Sequence, residues 1–166
     1  VKEIGMRLLM SALATLAALG LIGLAAACGG DGNGATPTPG EGTVDIVLYF
    51  PKITDTGFDF LPAERSIAAT EAQPAAVVTL LLAGPTEEEE SSLGVSNPFP
   101  ANVKVLSLDV AGDAATVDFS EELLEYGGGS ANVIAISESI TRTVQELTGA
   151  SSVVILVEGQ PDQLQP

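Results

Sequence analysis

Apolar positions along this chain come in two kinds of run, one long and unbroken near the start, the others short and periodic. From Leu8 to Cys28 no charged residue interrupts the sequence, and Lys2 and Arg7 precede the run. Gly29 to Thr43, GGDGNGATPTPGEGT, has no apolar periodicity and reads as a flexible linker. Periodicity begins beyond it. Val44 to Phe50 (VDIVLYF) is rich in β-branched and aromatic residues and ends at Pro51, which predicts a strand. A second extended piece is expected within Phe58 to Ala69, after the turn Asp55-Thr56-Gly57. Pro74 to Ala83 is nearly all apolar, with Pro74 suited to a first helical turn and Gly84-Pro85 to a stop, so it predicts a heavily buried helix.

The second half repeats the theme. Leu106, Leu108 and Val110 alternate on one expected face, as do Ala115, Val117 and Phe119, with Gly112-Asp113 as the hairpin turn between them. From Ser130, taken as an N-cap, Val133, Ile136, Ile140, Val144 and Leu147 fall at helical spacing until Gly149, with Arg142 on the outward side. Val153 to Val157 is unbroken and β-branched, as expected of a strand covered on more than one side. The order strand, strand, helix, strand, strand, helix, strand predicts an α+β domain over residues 44–160. In it, two helices pack on one face of a small mixed or antiparallel sheet.

Composition narrows the chemistry. The chain has no histidine, no tryptophan and one cysteine, Cys28. A Ser/His/Asp triad, a Cys/His pair, a thiolate zinc site and a histidine metal site all require residues it lacks. No cofactor or metal is expected. Setting aside residues 1–27 removes Lys2, Arg7 and Glu3, which leaves 4 basic against 21 acidic residues, a net charge of −17. Such a surface repels nucleic acid and anionic headgroups.

Placed at the end of an apolar segment, Cys28 is better explained by lipid attachment than by redox chemistry. The basic start and apolar run fit a secretory signal, with translation beginning at Val1 or Met6. Leu24-Ala25-Ala26-Ala27-Cys28-Gly29 resembles the lipobox of bacterial lipoproteins, although the leucine stands one residue earlier than usual. The resemblance implies a diacylglycerol on the sulfur of Cys28, cleavage before it, and a domain held on the outer face of the cell membrane. The alternative is an uncleaved transmembrane helix, since about 20 apolar residues span a bilayer. Both leave the domain tethered outside.

Three segments in order, LLLAGPTEEEE from Leu80 to Glu90, NPFPANVKVLSLDVAGDAATVDFSEELLEYGGGS from Asn97 to Ser130, and VVILVEGQP from Val153 to Pro161, resemble the GerMN domain of sporulation and spore-germination proteins. The resemblance implies a fold similar to the ring-building motifs of secretion systems, helix-strand-strand-helix-strand, over residues 74–158. It also implies a membrane-tethered role in envelope assembly or regulation, without enzymatic activity. One departure is Gln73 before Pro74, where a Ser or Asp cap is usual; Thr70 with Gln73 offers a capping box instead.

Several residues invite chemical readings. Asp118, Glu121, Glu122 and Glu125 suggest a glycan hydrolase, because two carboxylates divide acid and base work across a glycosidic bond. A glycan-binding role is a third class, disfavoured by the anionic surface and few aromatic residues. Against catalysis, Glu121 and Glu122 suit a helix N-terminus after Ser120. Glu87 to Glu90 reads as a solvated charge run. Asp31-Gly32-Asn33-Gly34 has the start of a calcium loop without its later ligands, so it reads as spacer. The triplet Gly127 to Gly129 offers backbone amides to an anion, or simply a turn. Gly84 to Asn102 lacks periodicity and is expected to be an irregular loop. Within it Pro98, Phe99 and Pro100 form a stiff apolar element. Phe99 either anchors a protein partner or folds back as a plug on the core. The expected partners are an envelope protein or a second copy of this chain.

Overall fold

The computed structural model describes residues 42–161 together with Leu164. The leader, Cys28 and linker residues 29–41 lie outside the described residues. Strands β1 (Thr43–Thr54) and β2 (Gly57–Ala68) pair antiparallel along their whole length, from Thr43 opposite Ala68 to Thr54 opposite Gly57. Ile46, Leu48, Phe50 and Ala63 point into the core. Because side chains alternate across a strand, Val47, Tyr49, Pro51 and Ile53 share the opposite face with Phe58, Phe60 and Pro62.

Helix α1 (Pro74–Leu82) buries Val77, Val78, Leu81 and Leu82, and packs on β3 (Val105–Ala111) and on α3 (Gly129–Thr148). Strand β4 (Ala114–Phe119) pairs antiparallel with β3 and parallel with β5 (Ser152–Val157), and β6 (Gln160–Pro161) closes the far edge. Parallel neighbours need a crossover, and α3 supplies it. Ile136, Ile140 and Val144 of α3 meet Phe50 of the hairpin and Val117 and Phe119 of the sheet in one core. Among the described residues no helix is long and apolar enough to cross a membrane.

The α+β class stands, with differences in the elements that have physical causes. The strands form two sheets, β1-β2 and β3-β4-β5-β6, where one was expected. The outer edge of β1 is unavailable for another strand: Tyr49 N donates to Thr143 Oγ1 of α3 at 3.0 Å, and the Pro51 carbonyl accepts from Ser96 N at 2.9 Å. Pro51 itself has no N–H to offer.

A third helix, α2 (Glu87–Leu93), occupies part of the expected loop 84–102. It has no buried residue and hence no apolar stripe to betray it. A capping box makes it: Glu89 N donates to Thr86 Oγ1, and Thr86 N donates to the Glu89 carboxylate. Four glutamates in its first turn complement the helix dipole.

Smaller expectations also change. Ser130 is not the cap of α3; Gly128 is, at φ 86°, a left-handed conformation glycine adopts readily. Gln73 caps α1 without a side-chain bond, and Thr70 lies in a short 3-10 turn. A bulge between Val105 and Ser107 breaks the alternation of β3, so Leu106 is displaced from the ladder and exposed. Strand β5 is open on one face, with Val154 43% exposed, because helices cover only the other side of this sheet.

Candidate functional site

The segment between α2 and β3 is tied down by polar bonds. Gly84 has φ +89°, and a Cβ there would lie 2.6 Å from Asn97 Nδ2. Asn97 Oδ1 in turn accepts from Phe99 N at 3.0 Å. Asn132 of α3 donates from Nδ2 to the Pro98 carbonyl at 3.2 Å. The Phe99 ring is 8% exposed and belongs to the core cluster. The expectation that Phe99 is displayed to a partner is corrected: the ring is the plug, held inward by its own amide's bond to Asn97. Pro98 is buried beside it and Pro100 is half-buried.

A second clamp explains the LAGPTEEEE segment. Arg65 of β2 donates to both carboxylate oxygens of Glu89, from Nε at 2.8 Å and Nη2 at 2.6 Å, and Nη2 also reaches the Gly84 carbonyl at 3.0 Å. Its guanidinium lies 5.7 Å from the Phe50 ring centroid. The side chains are only 17% and 15% exposed. Arg65 holds the Glu89 carboxyl below its ordinary range, chiefly through its hydrogen bond. Glu89 is thus structural, although its neighbours in the run are exposed.

The acidic residues near Asp118 are also engaged. Asp118 Oδ1 accepts from Gly159 N at 3.0 Å, and Glu158 Oε1 accepts from Glu121 N at 3.2 Å. The Ser120 hydroxyl donates to the Glu122 carboxylate, which with Glu122's own amide and the nearby Lys104 charge lowers that carboxyl's pKa. Ser120 Oγ accepts from Lys104 N at 3.0 Å. Asp118 and Glu158 therefore tie the end of β4 to the turn after β5, whereas Glu122 bonds locally to Ser120 and keeps one buried carboxylate oxygen without a hydrogen-bond partner. Asp118 is committed to the turn before β6, while the Glu121 and Glu125 side chains stay exposed to solvent. The glycine triplet is explained by backbone need, since Gly128 and Gly129 both have positive φ.

A depression of about 260 Å³ lies between the hairpin tip, the Ser96–Pro98 segment and the first turns of α3. Pro51, Ile53 and Phe58 form one wall, Ala131, Asn132 and Ala135 the other, and no charged residue lines it. Ile53 is 72% exposed, the most of any large hydrophobic residue described. From this depression the open hairpin face continues through Phe60, whose ring lies 6.3 Å from that of Phe58 and under the Arg142 guanidinium at 4.9 Å. Of the expected contact residues only Pro98 lines the depression, together with Ile53, Phe58 and Ala135, which the sequence patterns do not single out. Their signal was present in β1, where Val47, Tyr49, Pro51 and Ile53 alternate with the equally apolar Ile46, Leu48 and Phe50.

Three helices and a hairpin around a four-stranded mixed sheet, with an uncharged groove beside the hairpin tip, define a small α+β domain. The family described as Germane, sporulation and spore germination, matches residues 47–163, and the chain belongs to it. The tandem GerMN domains of the sporulation protein GerM from Bacillus subtilis are similar at 21% identity and a TM-score of 0.59, covering 77% of this chain and 43% of that one. This chain therefore spans less than half of the tandem structure. The first GerMN domain of the same protein is similar at 24% identity and a TM-score of 0.55, covering 72% of this chain and 86% of that one. These likenesses establish the fold. Among curated proteins none matches.

Proposed function

We propose that this chain is a lipid-tethered, extracytoplasmic docking module of the cell envelope that assembles with proteins and performs no catalysis. The carrying observation is the division of labour in the domain: Asp118, Glu158 and Glu89 are engaged in internal hydrogen bonds, while the open groove at Ile53 and Phe58 has no charged lining. A site built for proton transfer needs the reverse, a titratable group facing the substrate. Membership in a sporulation and germination family supports an envelope setting.

Cys28 is the proposed point of attachment, with diacylglycerol on its sulfur. Two acyl chains hold a protein at the bilayer, each buried methylene contributing about 0.8 kcal/mol. The experiment is radiolabelled palmitate uptake by cells expressing the full chain, with zymography of the extracted protein on cell-wall peptidoglycan. Label on the wild type, none on Cys28→Ala, and no clearing are expected. Label that survives Cys28→Ala contradicts the tether. Clearing that disappears in Glu121→Gln contradicts the non-catalytic reading.

A further inference from the structure

We infer that the outer edge of β5 and the adjoining flank of α3 form a strand-addition site, and that its occupant is the chain's own segment after β6, residues 162–164, seated by Leu164. In the parallel ladder the Glu158 amide donates to the Phe119 carbonyl at 2.9 Å. Backbone direction alternates along a strand, so the N–H and C=O groups of Val154 and Leu156 also turn toward β4, while those of Val153, Ile155 and Val157 turn toward the outer edge. Among the described residues β6 closes that edge only beside Leu156 and Val157. The backbone groups of Val153 and Ile155 are the donors and acceptors that an added strand uses.

Register selects the occupant. Leu156 faces Pro161 and Val157 faces Gln160 across the turn Glu158-Gly159, whose residues both have positive φ, as the tight turns of hairpins require. Carried onward, the same register sets Leu164 opposite Val153, on the face that Val153 shares with the buried Ala115. Leu164 lies there: with Val153, Ile155 and Pro161, and with Ser137 and Thr141 of α3, it lines a hollow of about 380 Å³, and it packs on the core. Pro161 has no N–H, but it stands opposite Leu156, whose backbone faces β4, so the edge loses no bond. No charged side chain lines the hollow, and Ser137 and Thr141 are short. The site therefore takes an extended peptide carrying a branched aliphatic residue and disfavours a charged one. It shares no lining residue with the groove at the hairpin tip, and its role is to seal an edge that would otherwise pair with other chains.

The test is amide hydrogen exchange of the full chain in detergent, read residue by residue by NMR. In the wild type the amides of Val153 and Ile155 should be protected. Leu164→Asp puts a charge into the hollow and should speed their exchange roughly tenfold or more, leaving Val154 and Leu156 as slow as before. Slow exchange at that β4-facing pair also shows that the variant folds. The conservative Leu164→Ile should keep the protection. Fast exchange at Val153 and Ile155 in the wild type overturns the inference, as does protection that survives Leu164→Asp. Protection that the wild type loses on dilution assigns the edge to a second copy and overturns the chain's own segment as occupant.

Discussion

The two faces of the β1–β2 hairpin are nearly matched in apolar content but have opposite fates. Ile46, Leu48 and Phe50 are sealed against α1 and α3, whereas Tyr49, Ile53, Phe58 and Phe60 keep access to solvent. Helix α3 runs beside the outer edge of β1, where Thr143 receives the Tyr49 amide, so its apolar stripe of Ile136, Ile140 and Val144 can cover only one side. The second face is left with Arg142 reaching across Phe60 and the groove below Ile53. Hydrophobicity alone therefore does not say which face of a hairpin is core. The position of the helix beside its edge decides.

The comparison breaks most readily at the core. Phe50→Ala should cost about 3–5 kcal/mol and lower the melting temperature sharply, since the ring is fully buried. Phe99→Ala should fall in the same range, because its ring is a plug. Phe58→Ala on the open face should cost far less. Equal losses at Phe50 and Phe58 in denaturant titrations would mean that the second face is also part of the core.

The next effect lies at the edge of β2. Arg65→Ala leaves Glu89 without its bidentate partner. The expected cost is about 1–3 kcal/mol, below that of a fully buried pair because both side chains keep some exposure. The carboxyl of Glu89 is lower in pKa in the folded chain than its ordinary 4.5. Its contribution is thus complete above that value and is lost as pH falls below it. Acid titration of stability should be steeper in the wild type than in Glu89→Gln; parallel curves would show that the clamp contributes nothing.

Gly84→Ala should cost about 2 kcal/mol, combining a positive φ with a Cβ pressed onto Asn97, the residue that holds Phe99 inward. A melting curve identical to the wild type would show that this close approach is dispensable. The smallest change expected is at Ser139, whose buried hydroxyl has no protein hydrogen-bond partner. Ser139→Ala should be neutral or stabilise by up to about 1 kcal/mol, since alanine also favours the helix. A clear loss of stability would contradict this.

The sequence shows most of the fold where a single periodicity governs. The β4 alternation of Ala115, Val117 and Phe119 and the helical spacing of Ile136, Ile140 and Val144 both appear as expected. It is silent where stability comes from polar geometry. Helix α2 is made by Thr86 and Glu89 and anchored by Arg65, which lies in a strand 24 positions away. The bulge at Leu106 and the partition into two sheets likewise depend on contacts between distant segments. The same holds for the candidate site: Asn97, through the Phe99 amide, turns the Phe99 ring inward, whereas Ile53 and Phe58 keep access to solvent.

Site-specific photo-crosslinking in the native envelope tests the central claim most directly. A photoreactive residue replaces Phe58 on the open face or, as a control, Glu71 in the exposed turn before α1. The account predicts a discrete protein adduct from position 58, at twice the chain mass if the partner is a second copy, and none from position 71. No adduct from position 58, or equal adducts from both, would contradict it.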